Sequence, residues 1–393
     1  MNTKLNTDPI GRLYAERARL NPVLGRLQEF MTALPWPLEY RPRSGPVRRL
    51  IVDLLRLAFL SVAAGVTAAF ASHDGFAALL VLPTLLFSLG AVGRLRKITV
   101  GHKHESGHGV GFASWRRAGH SRKTIRAVRF TIMEIGAVIA LAGPGIGYMR
   151  QHARHHALRM LGTGRDPDGA ALLALGFRQG LSRGAFRKTL LGCLFDPMWY
   201  ARENLKRLRA TTASGSLPSS LAATLLWIGL IASAFVLPFW VWLAALGGPW
   251  LLGFPAASLL QVITEHPYVA KEGATDLASY AARTWDRIPW QITPERSPFS
   301  KGGLALWLRW TARFVFIHFP SRLAVLDRTM IWHRMHHLAW PMGQPFDDWW
   351  NIDRRVACAW YYGMLFDGWE EQVLEGLPEA LLRQERYMEA GPT

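Results

Sequence analysis

Long apolar runs alternate with arginine-rich polar stretches along the 393 residues. A helix needs roughly 20 mainly apolar residues to cross a bilayer core. The first run that meets this length covers about residues 50–72 (LIVDLLRLAFLSVAAGVTAAFAS). Asp53 and Arg56 fall near its start, where long or charged side chains reach the interface by snorkelling. A short SHDG turn leads to the second run, FAALLVLPTLLFSLGAVG, which ends at Arg94, Arg96 and Lys97. RPRSGPVRR precedes the first run, so basic clusters flank both outer ends of the pair. That pattern predicts a transmembrane hairpin with its ends in the cytoplasm.

A third stretch, residues 129–147, holds a Glu and ends in Gly-Pro-Gly. It is too interrupted for a plain span, and a re-entrant or interfacial segment is the alternative to a crossing. The re-entrant reading keeps the polar segments on either side of it on one face. Residues 157–216 are polar and helical in tone. About residues 218–263 form the last apolar stretch, interrupted by GGPW and long enough for two spans joined by a tight turn. The pattern therefore predicts an all-α integral membrane protein: four transmembrane helices in two hairpins, with a cytosolic helical cap. We divide it into a cytoplasmic N-terminal segment (1–48), a membrane domain (49–345) and a C-terminal cytoplasmic helical tail (346–393). Within the first, LNPVLGRLQEFMTAL suits a short interfacial helix. The N-terminus has no apolar core behind its charges, so no cleavable signal peptide is expected.

The formal charge of +18 changes the picture little. Nucleic acid is a poor fit to a chain with apolar runs that need a bilayer. Positive flanks of spans explain much of the charge, and an acidic protein partner could use the remainder. Cys193 and Cys358 are the two cysteines, and they form no CxxC pair, so thiolate zinc and a disulfide framework are both excluded.

The chemistry lies in histidine. His104 and His108 form HESGH, His152, His155 and His156 form HARHH, and His333, His336 and His337 form HRMHH. On a helix, positions three and four apart share a face, so each box can aim its imidazoles at one ion. With 13 histidines in the chain, one HxxHH box would arise by chance about 0.01 times. His266 stands just beyond the last apolar stretch, on the predicted side of the boxes. His102, two residues from His104, points elsewhere on a helix; His73, His120 and His318 stand alone. Nine imidazoles exceed what one ion can hold. Two irons suit an all-imidazole set with open positions, whereas zinc has no redox chemistry.

The order HxxxH, HxxHH, apolar hairpin, lone His, HxxHH resembles the membrane fatty acid desaturase and hydroxylase superfamily. SGHG around the first box, Asp166-Pro167-Asp168 after the second and the Pro in HHLAWPM after the third strengthen the resemblance, which covers about residues 50–345. It implies a cytosolic di-iron centre held by His104, His108, His152, His155, His156, His266, His333, His336 and His337. It implies O2 as co-substrate and an external electron donor of the ferredoxin, rubredoxin or cytochrome type. The expected activity is oxidation of an unactivated C–H bond, foremost desaturation of a lipid acyl chain. A hydroxylase or oxygenase acting on a lipid, alkane, carotenoid or natural product uses the same boxes. A non-catalytic metal-binding membrane protein is the reading from another class; ligands flanking the spans, not inside them, count against transport. Glu105, Asp166, Asp168, Glu265 and Asp276 are candidates to orient the imidazoles through their second nitrogens.

Overall fold

In a computed structural model the described residues are 9–34, 45–72, 77–109, 112–213, 216–326, 328–339 and 372–390. Most of the predicted C-terminal tail, the Pro after the third box, and His73 lie outside them.

Among the described residues four helices are long and apolar enough to cross a membrane: α3 (Pro46–Ala71), α4 (Ala77–His108), α10 (Leu217–Val236) and α11 (Phe239–Val262). Two shorter helices precede them, α1 (Pro9–Arg17) and α2 (Pro22–Thr32). Along the spans the outward side chains are apolar: Leu55, Phe59, Leu82, Leu85, Leu221, Ile228 and Phe235 are all exposed. An exposed apolar belt of this extent is a lipid-facing surface. The spans touch through small residues and hydroxyls. Thr84 donates to Thr67 at 2.9 Å between α3 and α4. A Cβ on Gly65 would sit 3.3 Å from Ala245 of α11. Close approach of small residues is how helices associate where burial from water gives no driving force.

Three elements depart from the sequence expectations. First, α4 does not stop at Lys97. It continues through a π-helical stretch, Lys97–Lys103, directly into the first histidine box, His104–His108. Second, the break between the last two spans falls at Leu237–Pro238, not at GGPW. Leu237 is extended (φ −88°, ψ 147°), the conformation a following proline imposes. Gly247, Gly248, Pro249 and Trp250 instead lie inside a π-helical stretch of α11, Leu243–Gly253. Third, Asp53 does not snorkel. It is 1% exposed and accepts from Arg94 (2.9 Å), Lys97 (2.8 Å) and His102 (2.8 Å). The buried carboxylate thus clamps one side of α4 and fixes the rotation at which His104 and His108 are presented.

The stretch 129–147 becomes two helices, α5 (Arg122–Ile139) and α6 (Gly145–His155), joined by a turn. α5 starts on Ser121, whose hydroxyl caps Thr124 N–H, and packs against α4 and α10. It is not among the four span-length apolar helices. The turn holds Leu141 at φ +49°, a strained position for a branched residue. Arg207 of α9 (Pro197–Ala213) holds it there: its guanidinium donates to Ala140 O (2.8 Å), Leu141 O (3.1 Å) and Trp250 O (2.7 Å).

The N-terminal segment is not a detached arm. Glu16 is buried and accepts from Gln28 (2.7 Å), Trp290 (2.9 Å) and the Thr293 backbone (2.6 Å). α2 packs by its last turn, where Trp332 donates to Thr32 O at 3.0 Å, and leaves Val23 and Phe30 exposed. At the other end, β2 (Val373–Leu374) pairs in parallel with β1 (Asp286–Arg287). The last helix, Gly376–Glu389, lies on Arg183–Phe195, with ion pairs Arg183–Glu389 (2.6 Å) and Arg187–Glu385 (3.1 Å). Close packing reaches its limit where Phe319–Ala324 crosses α4: a Cβ on Gly93 would fall 1.7 Å from Leu323 O.

Candidate metal centre

Each histidine reaches the centre from a different kind of support. His104 and His108 ride on the end of α4. His152, His155 and His156 come from the last turn of α6 and its C-cap. His266 follows the end of α11, and His336 and His337 lie on a short helix, Arg334–Ala339, just after His333. All nine gather into two groups. His104, His108, His152, His156 and His336 form one; His155, His266, His333 and His337 form the other. Within each group the candidate ligand atoms lie within 4.8 Å of one another. The sequence expectation that each box serves one ion is corrected here. Successive helical residues differ by about 100° in direction. His155 therefore turns from His152 and His156 toward the other group, and His336 parts from His333 and His337 for the same reason.

The nitrogen spacing tests whether an ion fits. Nε2 of His152 meets Nε2 of His108 at 2.9 Å and of His156 at 2.8 Å; His156 meets His336 at 3.0 Å. In the other group His333 meets His266 at 3.2 Å and His337 at 2.9 Å. One ring N–H cannot bridge two nitrogens, so hydrogen bonds do not account for this convergence. A metal–imidazole bond of about 2.1 Å puts right-angled ligands about 3.0 Å apart, which does. The residues present fit a metal ion in each group.

Four of the second ring nitrogens are tied down, while those of His156 and His333 are buried without a hydrogen-bond partner among the described residues. His155 Nδ1 lies 3.0 Å from both oxygens of Asp166, and Asp166 also accepts from Gly162 N–H (2.9 Å) and Asp168 N–H (3.0 Å). His266 Nδ1 donates to Arg283 O (2.7 Å) and His104 Nδ1 to Val100 O (3.1 Å). Tyr280 Oη donates to His156 O (3.1 Å), leaving a lone pair for His337 Nδ1 at 3.2 Å. A proton on Nδ1 leaves Nε2 unprotonated and turned to its group.

Electrostatics agree. Burial pushes His152, His156, His266, His333, His336 and His337 well below the ordinary imidazole value, and neighbouring imidazoles add to this in all six. They are neutral, as ligands must be. His155 differs: burial lowers it, but Asp166 and then Asp168 outweigh that and raise it to about 9.

Of the carboxylates singled out from sequence, Asp166 orients a histidine and Asp168 stands 3.6 Å from the same ring. Glu265 is buried against Arg287 (3.5 Å) and Gln261, beside the centre. Glu105 is buried. Asp276 instead caps the helix Leu277–Ala282 through a capping box with Ser279, a local role. Sequence reasoning missed Tyr280 and the carbonyls of Val100 and Arg283. Backbone acceptors leave no mark in a sequence. His102 is absent from both groups, as its spacing predicts.

A cavity of about 200 Å3 opens on the centre, lined by His104 and His152 of one group and His155 and His333 of the other. A larger cavity, about 650 Å3, lies between Arg12, Trp290, Arg313 and Glu375, and none of the nine histidines lines it.

The family model for fatty acid desaturases matches residues 104–293, from the first histidine of the first box to just past His266. Residues 104–293 belong to the fatty acid desaturase family. Neither the curated proteins nor the solved structures give a match. Four membrane-length apolar helices and this family match point to an integral membrane protein, and the matching family is one of oxidoreductases. The chain's histidine groups are suited to metal binding.

Proposed function

We propose that the chain is an O2-dependent di-iron oxidase that attacks an unactivated C–H bond. The observation that carries this reading is the pair of all-imidazole groups facing one cavity. Nine imidazoles in sets of five and four suit redox-active iron better than structural zinc, which takes four ligands. His104, His108, His152, His156 and His336 would hold one iron, and His155, His266, His333 and His337 the other. When bound, the iron pair supplies O2 activation and hydrogen removal.

The protein's own part is positional. Asp166, Arg283 O, Val100 O and Tyr280 hold protons on Nδ1 and so keep the Nε2 faces open. The helix ends bring both groups to one wall, and the buried surroundings exclude bulk water. Desaturation would take two hydrogens from the substrate and, with O2, two electrons from the donor and two protons, release two waters. Hydroxylation would use O2, two electrons and two protons to convert one C–H bond to C–OH and release one water.

An acyl chain in a desaturase reaction is the usual expectation for the family. The polar side chains set among apolar ones on the cavity wall (Arg96, Gln151, Asp168, Gln261 and Glu265) favour the second reading, an oxygenase acting on a less apolar substrate. In this reading α3–α4 and α10–α11 are two hairpins whose cap and termini face the cytoplasm. The basic surface there would dock an acidic ferredoxin, rubredoxin or cytochrome. No nucleic acid is involved.

The test is expression in a host membrane, iron analysis of the purified protein, and profiling of lipids and metabolites under 18O2. About two irons per chain and one O2-dependent product are expected. Label retained in the product identifies an oxygenase, and an unlabelled alkene a desaturase. A protein that takes up no iron refutes the proposal.

A further inference from the structure

Charged and polar side chains stand among apolar ones (Val100, Val262 and Met330) on the wall of the cavity at the metal centre. Arg96 lines it, is 5% exposed, and belongs to α4. Its Nη1 donates to Ser258 Oγ at 2.6 Å, and its guanidinium lies 5.4 Å from the Phe254 ring. Its Nε has no acceptor among the described residues. A buried guanidinium with a hydroxyl as its hydrogen-bond partner lacks the anion that normally accompanies it. Planar forks of this kind match a carboxylate.

The same wall carries one unmet acceptor among the described residues. Gln261 is 6% exposed; its Nε2 donates to Glu265 and its Oε1 has no donor. The carboxylates of Glu265 and Asp168 also line the cavity. Its volume of about 200 Å3 is below the roughly 300–1,000 Å3 of common ligand sites. The complement to such a wall is compact, anionic at one end and rich in donors at the other.

We propose that the cavity binds a small zwitterion of the amino acid class. Its carboxylate rests on Arg96, and its ammonium group faces Gln261, Glu265 and Asp168. The remaining carbons then lie beside His104, His152, His155 and His333. This names the substrate class of the oxidation proposed above and rests on that reading for its chemistry.

The test is direct binding. Purified protein in detergent is titrated calorimetrically with free L-amino acids, with the matching amino acid amides and with palmitate. At least one free amino acid binds, and its amide binds about 10- to 100-fold more weakly, because the charged partner of Arg96 is gone. In Arg96→Gln the difference between acid and amide disappears while iron content stays at the wild-type level. Amides that bind as tightly as the acids, or palmitate binding with no amino acid binding, overturns the proposal on the wild-type protein alone. Iron analysis of the same samples separates the two ideas. Iron-loaded protein that ignores every amino acid defeats the substrate class only. Protein without iron that still distinguishes acid from amide defeats the oxidase reading only.

Discussion

Replacing Asp166 by Asn isolates the orientation of one histidine. Asn caps a helix as well as Asp, so the start of Pro167–Ala174 is not the weak point. The carboxylate, however, uses both oxygens: Oδ2 accepts from Gly162 N–H, Oδ1 from Asp168 N–H, and His155 Nδ1 lies 3.0 Å from each. An amide must turn its NH2 toward one of those backbone donors. Leaving one buried donor unmet costs about 1–3 kcal/mol of stability. The same NH2 favours an unprotonated Nδ1 on His155, which moves the ring proton to Nε2 and removes that nitrogen as a ligand. Loss of such an orienting partner typically weakens metal binding about 10- to 100-fold, or about 1.4–2.7 kcal/mol. The loss is local to the group of His155, His266, His333 and His337; the group of His104 keeps its contacts. Iron titration under limiting metal, read by mass spectrometry, should therefore move from about two ions per chain toward one. Unchanged affinity at both sites with an unchanged Tm would refute the argument.

Three further outcomes follow from the packing and the titrating groups. Gly93→Ala places a methyl 1.7 Å from Leu323 O, a backbone atom that no side-chain rotation relieves. It should cost about 1–3 kcal/mol, and a Tm equal to wild type would contradict it. Arg207→Met strips the hydrogen bonds from Ala140 O, Leu141 O and Trp250 O and should destabilise by at least about 3 kcal/mol in chemical unfolding; a loss below about 0.5 kcal/mol would show that the strained turn needs no such support. In chelator-treated protein, the six histidines held below their ordinary value bind protons more readily when unfolded. Their stability contribution is present above about pH 6.5 and lost as pH falls below it. His155 has the opposite sign: its contribution is full below about pH 6.5 and fades as pH rises through about 9. Six groups outweigh one, so the Tm of the metal-free protein should fall between pH 7 and 5; a flat or rising Tm on acidification would contradict the assignment.

Eight of the histidines could be read as three clusters because their spacing is a property of single helices, and His266 stood out only by its place after an apolar stretch. HxxHH puts three imidazoles near one another whatever the rest of the chain does. Their division was not legible. His155 and His156 are adjacent, and which of them turns to which partner depends on where α11 and the third box arrive. Asp53 was visible as a carboxylate in an apolar run, a signal that points to a buried partner more often than to snorkelling; its partners Arg94, Lys97 and His102 lie some forty or more residues on. GGPW carries strong turn signals, yet Pro238 makes the turn. A π-helical stretch accommodates Pro249, and a methyl on Gly253 would meet Val92 of α4. Gly-Pro sequences mark backbone exceptions without saying which exception is used.

The unbroken run of α4 from Ala77 to His108 has a mechanical consequence. At 1.5 Å per residue the rod is about 48 Å long, against a hydrocarbon core of about 30 Å. Its far end is not a linker but His104 and His108. No loop lies between the lipid-embedded length and these two side chains to absorb a change in angle. Helices tilt to match bilayer thickness, and a tilt of α4 is passed to both imidazoles with no hinge in between. His152, His155 and His156 sit on a separate helix, α6. Bilayer thickness thereby becomes an input to the geometry of the metal centre.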